Sequence, residues 1–158
     1  MDWKNSPEFK KTLSFCGSNI RCESEVKYRV SKYDIPDENK QNILTFLKSY
    51  KFYFEDTDYL EKYFQNIELN IDNPNFYKLY TKDKIKNKLM SKKIPSKLID
   101  MFLHNFIKIK EDIMLDKFIV KNQRKIIQKE TRLRVNYVAS KGFSLAKVIK
   151  ALRSKGLL

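Results

Sequence analysis

Leu89–Leu103 reads LMSKKIPSKLIDMFL, and its reading decides the fold. An apolar run closes at Leu89. The pair Ile94-Pro95 then breaks the helix, because the proline ring pushes the residue before it out of the α region. Beyond the break, Leu98/Ile99 and Phe102/Leu103 recur at helical spacing. The stretch is helix, short turn, helix. Two other stretches share this layout: Val30–Leu44, VSKYDIPDENKQNIL, and Val138–Leu152, VASKGFSLAKVIKAL. Aligning Ile35-Pro36, Ile94-Pro95 and Phe143-Ser144 puts an apolar residue five positions before each anchor: Val30, Leu89 and Val138. Eight and nine positions after it stand Ile43-Leu44, Phe102-Leu103 and Ala151-Leu152. The anchors lie 59 and 49 residues apart, and a period of that size describes stacked helical units, each too small to bury its own face.

The rest of the chain agrees. Apolar stripes at helical spacing run through Val26/Val30/Tyr33, Ile43/Phe46/Leu47/Tyr50, Leu60/Tyr63/Phe64/Ile67, Ile85/Leu89, Leu115/Phe118/Ile119 and Leu145/Val148/Ile149/Leu152. Alternation of period two is not sustained anywhere, and 3 Gly and 4 Pro are too few for the turns of a sandwich or barrel. The expectation is all-α, with a third helix completing each of the first two units. Asn73-Pro74 marks another helix end, and Gly142 supplies a residue free to adopt positive φ. Ser24, Ser96 and Ser144 are expected as N-caps, with Glu25 adding favourable charge in a first turn.

Charge is distributed unevenly. Residues 1–75 carry 11 Lys/Arg against 13 Asp/Glu, a net of −2; residues 76–158 carry 22 against 6, a net of +16. Such a field draws a polyanion, either nucleic acid or an acidic protein surface. Lys outnumbers Arg 27 to 6 alongside 15 Ile and 12 Asn, a bias that A/T-rich codon usage also produces, so charge alone names no partner. Lys78, Lys82, Lys84, Lys86, Lys88, Lys92 and Lys93 crowd one segment. Lys82 and Lys86 share one helix face, and Lys84 and Lys88 another. A further set runs through Arg124, Lys125, Lys129, Arg132 and Arg134. These read either as solvated helix faces or as a ridge facing phosphates or carboxylates. Tyr77 and Tyr80 beside them suit base stacking or core packing equally.

Catalytic chemistry finds little support. His104 is the single histidine, inside an apolar stripe, which argues against a His-based site. Cys16 and Cys22 have no second pair, so zinc is not expected, and no Gly-rich phosphate loop exists. Glu55-Asp56-Thr57-Asp58 lacks the glycine and terminal glutamate of a calcium loop. Asp56 or Thr57 capping a helix that starts near Asp58 is the better reading. The expectation is a non-enzyme with no cofactor and no metal. The polar start Met1-Asp2-Trp3-Lys4-Asn5 and the lack of a long apolar run predict a cytoplasmic chain with no membrane partner. Two cysteines fit a reducing compartment, where a disulfide is unnecessary.

Several motifs resemble the RecX family, particularly its Bacteroidetes-type members. Cys16 to Arg21, then Ser24-Glu25-Val26, is similar to the opening of the family's first repeat. Phe54–Tyr63 stands where the family has an acidic pair, an arginine, Phe-Ala and an aromatic. Tyr80-Thr81-Lys82-Asp83-Lys84-Ile85 stands where it has Trp-Gly-x-x-Lys-Ile. Tyr137-Val138-Ala139-Ser140-Lys141-Gly142-Phe143-Ser144 resembles its third-repeat signature. Asp58 replaces the family's arginine, Leu60 its alanine, and Tyr80 and Thr81 its Trp and Gly.

The resemblance spans about Leu13 to Leu152. It implies an elongated, curved array of three tandem three-helix repeats: an extension over 1–13, then 14–72, 73–128 and a truncated third repeat over 129–158. It implies a monomer that binds the RecA recombinase filament, and single- or double-stranded DNA through the basic second half. It also implies that the bound chain blocks filament extension and lowers recombinase activity without catalytic residues of its own. Contact candidates are Lys82, Lys84, Lys86, Lys88, Lys92, Lys93, Arg132 and Arg134, with Arg21, Lys27 and Arg29 as a second face. A stand-alone nucleic-acid-binding protein and a structural or adaptor repeat protein are the rival readings.

Overall fold

The computed structural model describes residues 3–75 and 78–158, so Tyr77 lies outside the described residues. After a short 3-10 turn at Trp3–Asn5 come α1 (Pro7–Ser18), α2 (Glu23–Ser31), α3 (Asp37–Ser49) and α4 (Asp56–Asp72). Then follow α5 (Lys82–Ser91), α6 (Ser96–Ile127), α7 (Thr131–Ala139) and α8 (Leu145–Ser154). The fold is all-α. Among the described residues the only extended pairing is an isolated bridge between Cys22 and Phe54. Two compact units result: Met1–Tyr63 with Leu89–Ile99, and Phe64–Lys88 with Asp100–Leu158.

In the first unit, α1 begins where Ser6 accepts a hydrogen bond from the Phe9 amide at 3.1 Å, with Pro7 filling the first helical position. Phe9, Thr12 and Cys16 recur on its buried face. Phe9 and Cys16 meet Val26 and Val30 of α2 and Ile43 and Leu47 of α3 in one apolar core, while Thr12 hydrogen-bonds the Tyr33 hydroxyl at 3.0 Å. Trp3, Phe9 and Phe46 pack edge to face with ring centres 5.3–5.9 Å apart.

In the second unit, Phe64 meets Phe106 at 5.0 Å and Phe118 meets Phe143 at 5.6 Å between ring centres. Lys110 of α6 pairs with Glu68 and Asp72, and Lys117 donates to the carbonyls of Ile71 and Asn73. Those two lysines close the C-terminal end of α4 with cations, where the helix dipole favours them.

The three aligned stretches fold as helix, turn, helix. Val30, Leu89 and Val138 are completely buried, and each carbonyl accepts from the amide three residues on, at 3.1 Å. The second and third turns match further. Lys93 and Gly142, four residues after Leu89 and Val138, both take positive φ, at 66° and 90°. The first turn has no such residue, and its burial register slips. Ile99/Leu103 and Val148/Leu152 are buried at five and nine positions past the anchor, whereas the first copy buries Ile43 and Leu47 at eight and twelve.

Three local expectations are corrected. Ser24 and Ser96 lie inside helices rather than before them: α2 starts at Glu23 and α6 at Ser96. Ser144 does stand at the N-cap of α8, but its side chain makes no capping bond; its amide instead donates to Glu111 Oε1 at 2.6 Å. Neither Asp56 nor Thr57 caps a helix from Asp58, because α4 already begins at Asp56. The Asp56 carboxylate instead accepts from the amide and hydroxyl of Ser24, capping α2 from outside. The second stretch also lacks the break expected before its third helix. Residues 96–127 contain no Gly or Pro and run as one helix of 32 residues.

Candidate polyanion-binding site

Thr81 is buried and its Oγ1 accepts from the Lys84 amide at 3.3 Å, so it caps α5. A hydroxyl is therefore useful at the position where the RecX pattern has glycine. Ile85 and Leu89 turn inward, which sends Lys82 and Lys86 to one side of α5 and leaves Lys84 and Lys88 exposed on others. The turn between α7 and α8 packs against the start of α5: a Cβ on Gly142 would lie 3.1 Å from Lys82 Cβ and from Asp83 Oδ1.

These placements build a cleft of about 600 Å³ within the second unit. Its walls include Lys82 and Lys86 of α5, Asp100, His104, Lys108 and Glu111 of α6, and Lys147 of α8. Leu103 and Ile107 supply an apolar floor. Two of the four lysines are tethered. Lys86 pairs with Asp100 at 2.6 Å, and Lys147 pairs with Glu111 and Asp112, both at 3.1 Å. Hydrogen bonds donated to Glu111 and then Asp112 hold Lys147 above its ordinary pKa, so it stays cationic. Lys82 and Lys108 meet no carboxylate among the described residues. The result is a rim of four ammonium groups, two held in place and two able to swing toward an anion.

The other sequence candidates are scattered. Arg21 is spent internally: its guanidinium bonds the Phe15 carbonyl at 3.0 Å, Glu25 at 3.0 Å and Ser18 at 3.3 Å, and stacks 3.7 Å from the Phe15 ring centre. Lys92 pairs with Glu25 at 2.9 Å and lies over Tyr59. Burial pulls its pKa down, but the Glu25 hydrogen bond and neighbouring negative groups raise it overall. Lys93 sits over Tyr28 and Lys27 pairs with Glu23. Arg134 binds the carbonyls of Ile127, Lys129 and Leu157, tying the residues after α8 to the end of α6. Arg132 projects into solvent beside Glu130. Arg29 stacks on Phe15 and bonds the Tyr33 hydroxyl at 3.2 Å.

Sequence reasoning did not single out Lys108 and Lys147, and it set His104 aside. The i, i+4 ladder Asp100–His104–Lys108 on α6 was a usable signal; the contribution of Lys147 was not, because it arrives from a separate helix. No group of three or more His, Cys, Asp or Glu among the described residues is placed to hold a metal ion. No helix among them is long and apolar enough to cross a membrane. Fold and cleft together define an all-α protein with a lysine-rimmed cleft. Compared with protein-family models, curated proteins and solved structures, the chain matches none.

Proposed function

We propose that this protein restrains a RecA-type recombinase filament, using the lysine-rimmed cleft of its second unit to engage the filament's anionic groups. The observation that carries the reading is the convergence of Lys82, Lys86, Lys108 and Lys147 on one cleft, beside the turn that bears the RecX-like Lys141-Gly142-Phe143-Ser144. A cleft rimmed by ammonium groups recognises charge without demanding one geometry, which suits phosphates or clustered carboxylates on a filament. A regulator of this kind works by occupancy: it needs complementary charge and a folded body, and no reacting group.

The test is RecA ATPase on single-stranded DNA with the purified protein added. The wild-type chain is expected to lower turnover. Lys82→Glu combined with Lys86→Glu is expected to abolish that effect while far-UV circular dichroism stays unchanged. Full inhibition by the double variant would remove the cleft from the contact surface. No inhibition by the wild-type chain, together with DNA binding in the absence of RecA, would favour the stand-alone nucleic-acid-binding reading.

A further inference from the structure

The half of the sequence with net negative charge contains a cationic hollow that no linear count reveals. Lys10, Lys11, Ser14, Phe15 and Ser18 of α1 and Arg29 of α2 line a shallow concavity of about 520 Å³ within the first unit. No carboxylate lines it. Lys10 and Lys11 are exposed and form no ion pair among the described residues. In this the hollow differs from the cleft of the second unit, where Lys86 and Lys147 are neutralised by acidic neighbours.

Arg29 is prepared for an anion. Its guanidinium stacks 4.4 Å from the Phe15 ring centre, and its Nε donates to Tyr33 Oη at 3.2 Å. Its two terminal nitrogens have no partner among the described residues, so they present a fork whose plane is already fixed. Arg21 stacks on the same ring and its Nη2 donates to Ser18 Oγ at 3.3 Å, while the Ser18 hydroxyl donates to the Phe15 carbonyl at 3.0 Å, so Ser18 shapes the hollow's edge and does not donate into it. The Ser14 hydroxyl stands between the two lysines and Ser18.

We infer that this hollow is a binding site for the phosphate backbone of a single-stranded nucleic acid. From Lys10 to Ser14 the donors span four residues of α1, about 6 Å along the helix axis, and Arg29 adds its fork from α2. A nucleic-acid strand carries a phosphate every ~3.4 Å of duplex axis, and more widely when extended, so one strand brings more than one phosphate within reach of these donors. Carboxylates on a folded protein surface repeat only where its own fold places them, whereas a strand's phosphates repeat along its whole length. Hydroxyl, ammonium and a pre-set guanidinium fork are the donors that phosphate oxygens accept from. The inference does not rest on the recombinase reading, because it concerns a strand alone and residues outside the cleft, and its test contains no recombinase.

The experiment is a fluorescence-anisotropy titration of the full chain against a labelled single-stranded oligonucleotide at several salt concentrations. Lys10→Gln with Lys11→Gln is expected to weaken binding and to flatten the log–log salt slope by about 0.7 for each lysine removed. Lys51→Gln with Lys97→Gln, which removes the same charge from exposed positions of the same unit outside the hollow, is expected to leave both unchanged. Equal losses in the two double variants would reduce the effect to net charge and overturn the site, as would an unaltered slope in K10Q/K11Q. Poly-glutamate binding that depends on Lys10 and Lys11 while oligonucleotide binding does not would assign the hollow to an acidic protein instead. Displacement of the oligonucleotide by inorganic phosphate at an equal phosphate concentration would make it a free-phosphate site, and would also overturn the inference.

Discussion

Asp56 closes a helix to which it does not belong. Its carboxylate takes the Ser24 amide at 3.0 Å and the Ser24 hydroxyl, so the first turn of α2 is completed by the first turn of α4. An ionised acceptor on an orphan helix amide is stronger than a neutral cap. Asp56→Ala is therefore expected to lower unfolding free energy by about 1.5–3 kcal/mol, with Asp56→Asn losing less. Urea denaturation measures both. A change in D56A within ~0.5 kcal/mol would show that water replaces the bond at no cost. The same residue-scale economy explains why several candidate arginines are unavailable as contacts. Arg21 and Arg134 direct every nitrogen at groups of their own chain. Leu60, which stands where the RecX pattern has alanine, is completely buried, so its side chain is part of the core.

At the scale of the element, the second and third turns solve one problem with different residues. Each needs a residue at positive φ four positions past a buried apolar one. Gly142 meets that need without strain, and Lys93 meets it with a Cβ in a crowded region. Lys93→Gly is expected to stabilise the protein by up to about 1 kcal/mol, the relief of left-handed strain exceeding the entropy that glycine adds to the unfolded chain. Gly142→Ala is expected to destabilise by more than that. Its new Cβ would sit 3.1 Å from Lys82 Cβ and Asp83 Oδ1, and the backbone strain is added to the crowding. Thermal unfolding of the two variants gives the signs. A stabilised G142A would mean the turn relaxes to another conformation. The 32-residue α6 shows the converse: without a Gly or Pro, no local feature interrupts it.

At the scale of the whole molecule, the groups with the largest upward pKa shifts lie in one unit. Burial pushes the thiols of Cys16 and Cys22 from 9.0 up to about 11, and the phenol of Tyr53 from 10.0 up to about 12. Burial also raises Tyr59. The native fold holds the neutral forms, so this contribution to stability is complete below the unfolded values and is lost as pH climbs through the folded ones. Lys92, raised on balance and held as a cation by Glu25, has the same sign. Loss of the +14 net charge in alkali relieves self-repulsion and works the other way, so the direct check is titration of the groups themselves. Thiolate absorbance of the native protein is expected at half-height near pH 11, falling to near 9 in urea. Native and denatured curves that coincide would mean that the thiols are not shielded.

The sequence by itself determined the all-α class and most of the buried residues. The period of apolar side chains is a local property, and Val30, Leu89 and Val138 follow from it. It also located the three aligned turns, because proline and glycine act on the backbone beside them. Tertiary structure alone decided which charges work together. Lys147 reaches the cleft of Lys82, Lys86 and Lys108 from another helix, Arg29 joins Lys10 and Lys11 from α2, and Asp56 serves α2 from α4. Electrostatic and hydrogen-bond partnership depends on distance in space. A helix period gives the face of each side chain, and only the packing of helices tells which faces meet.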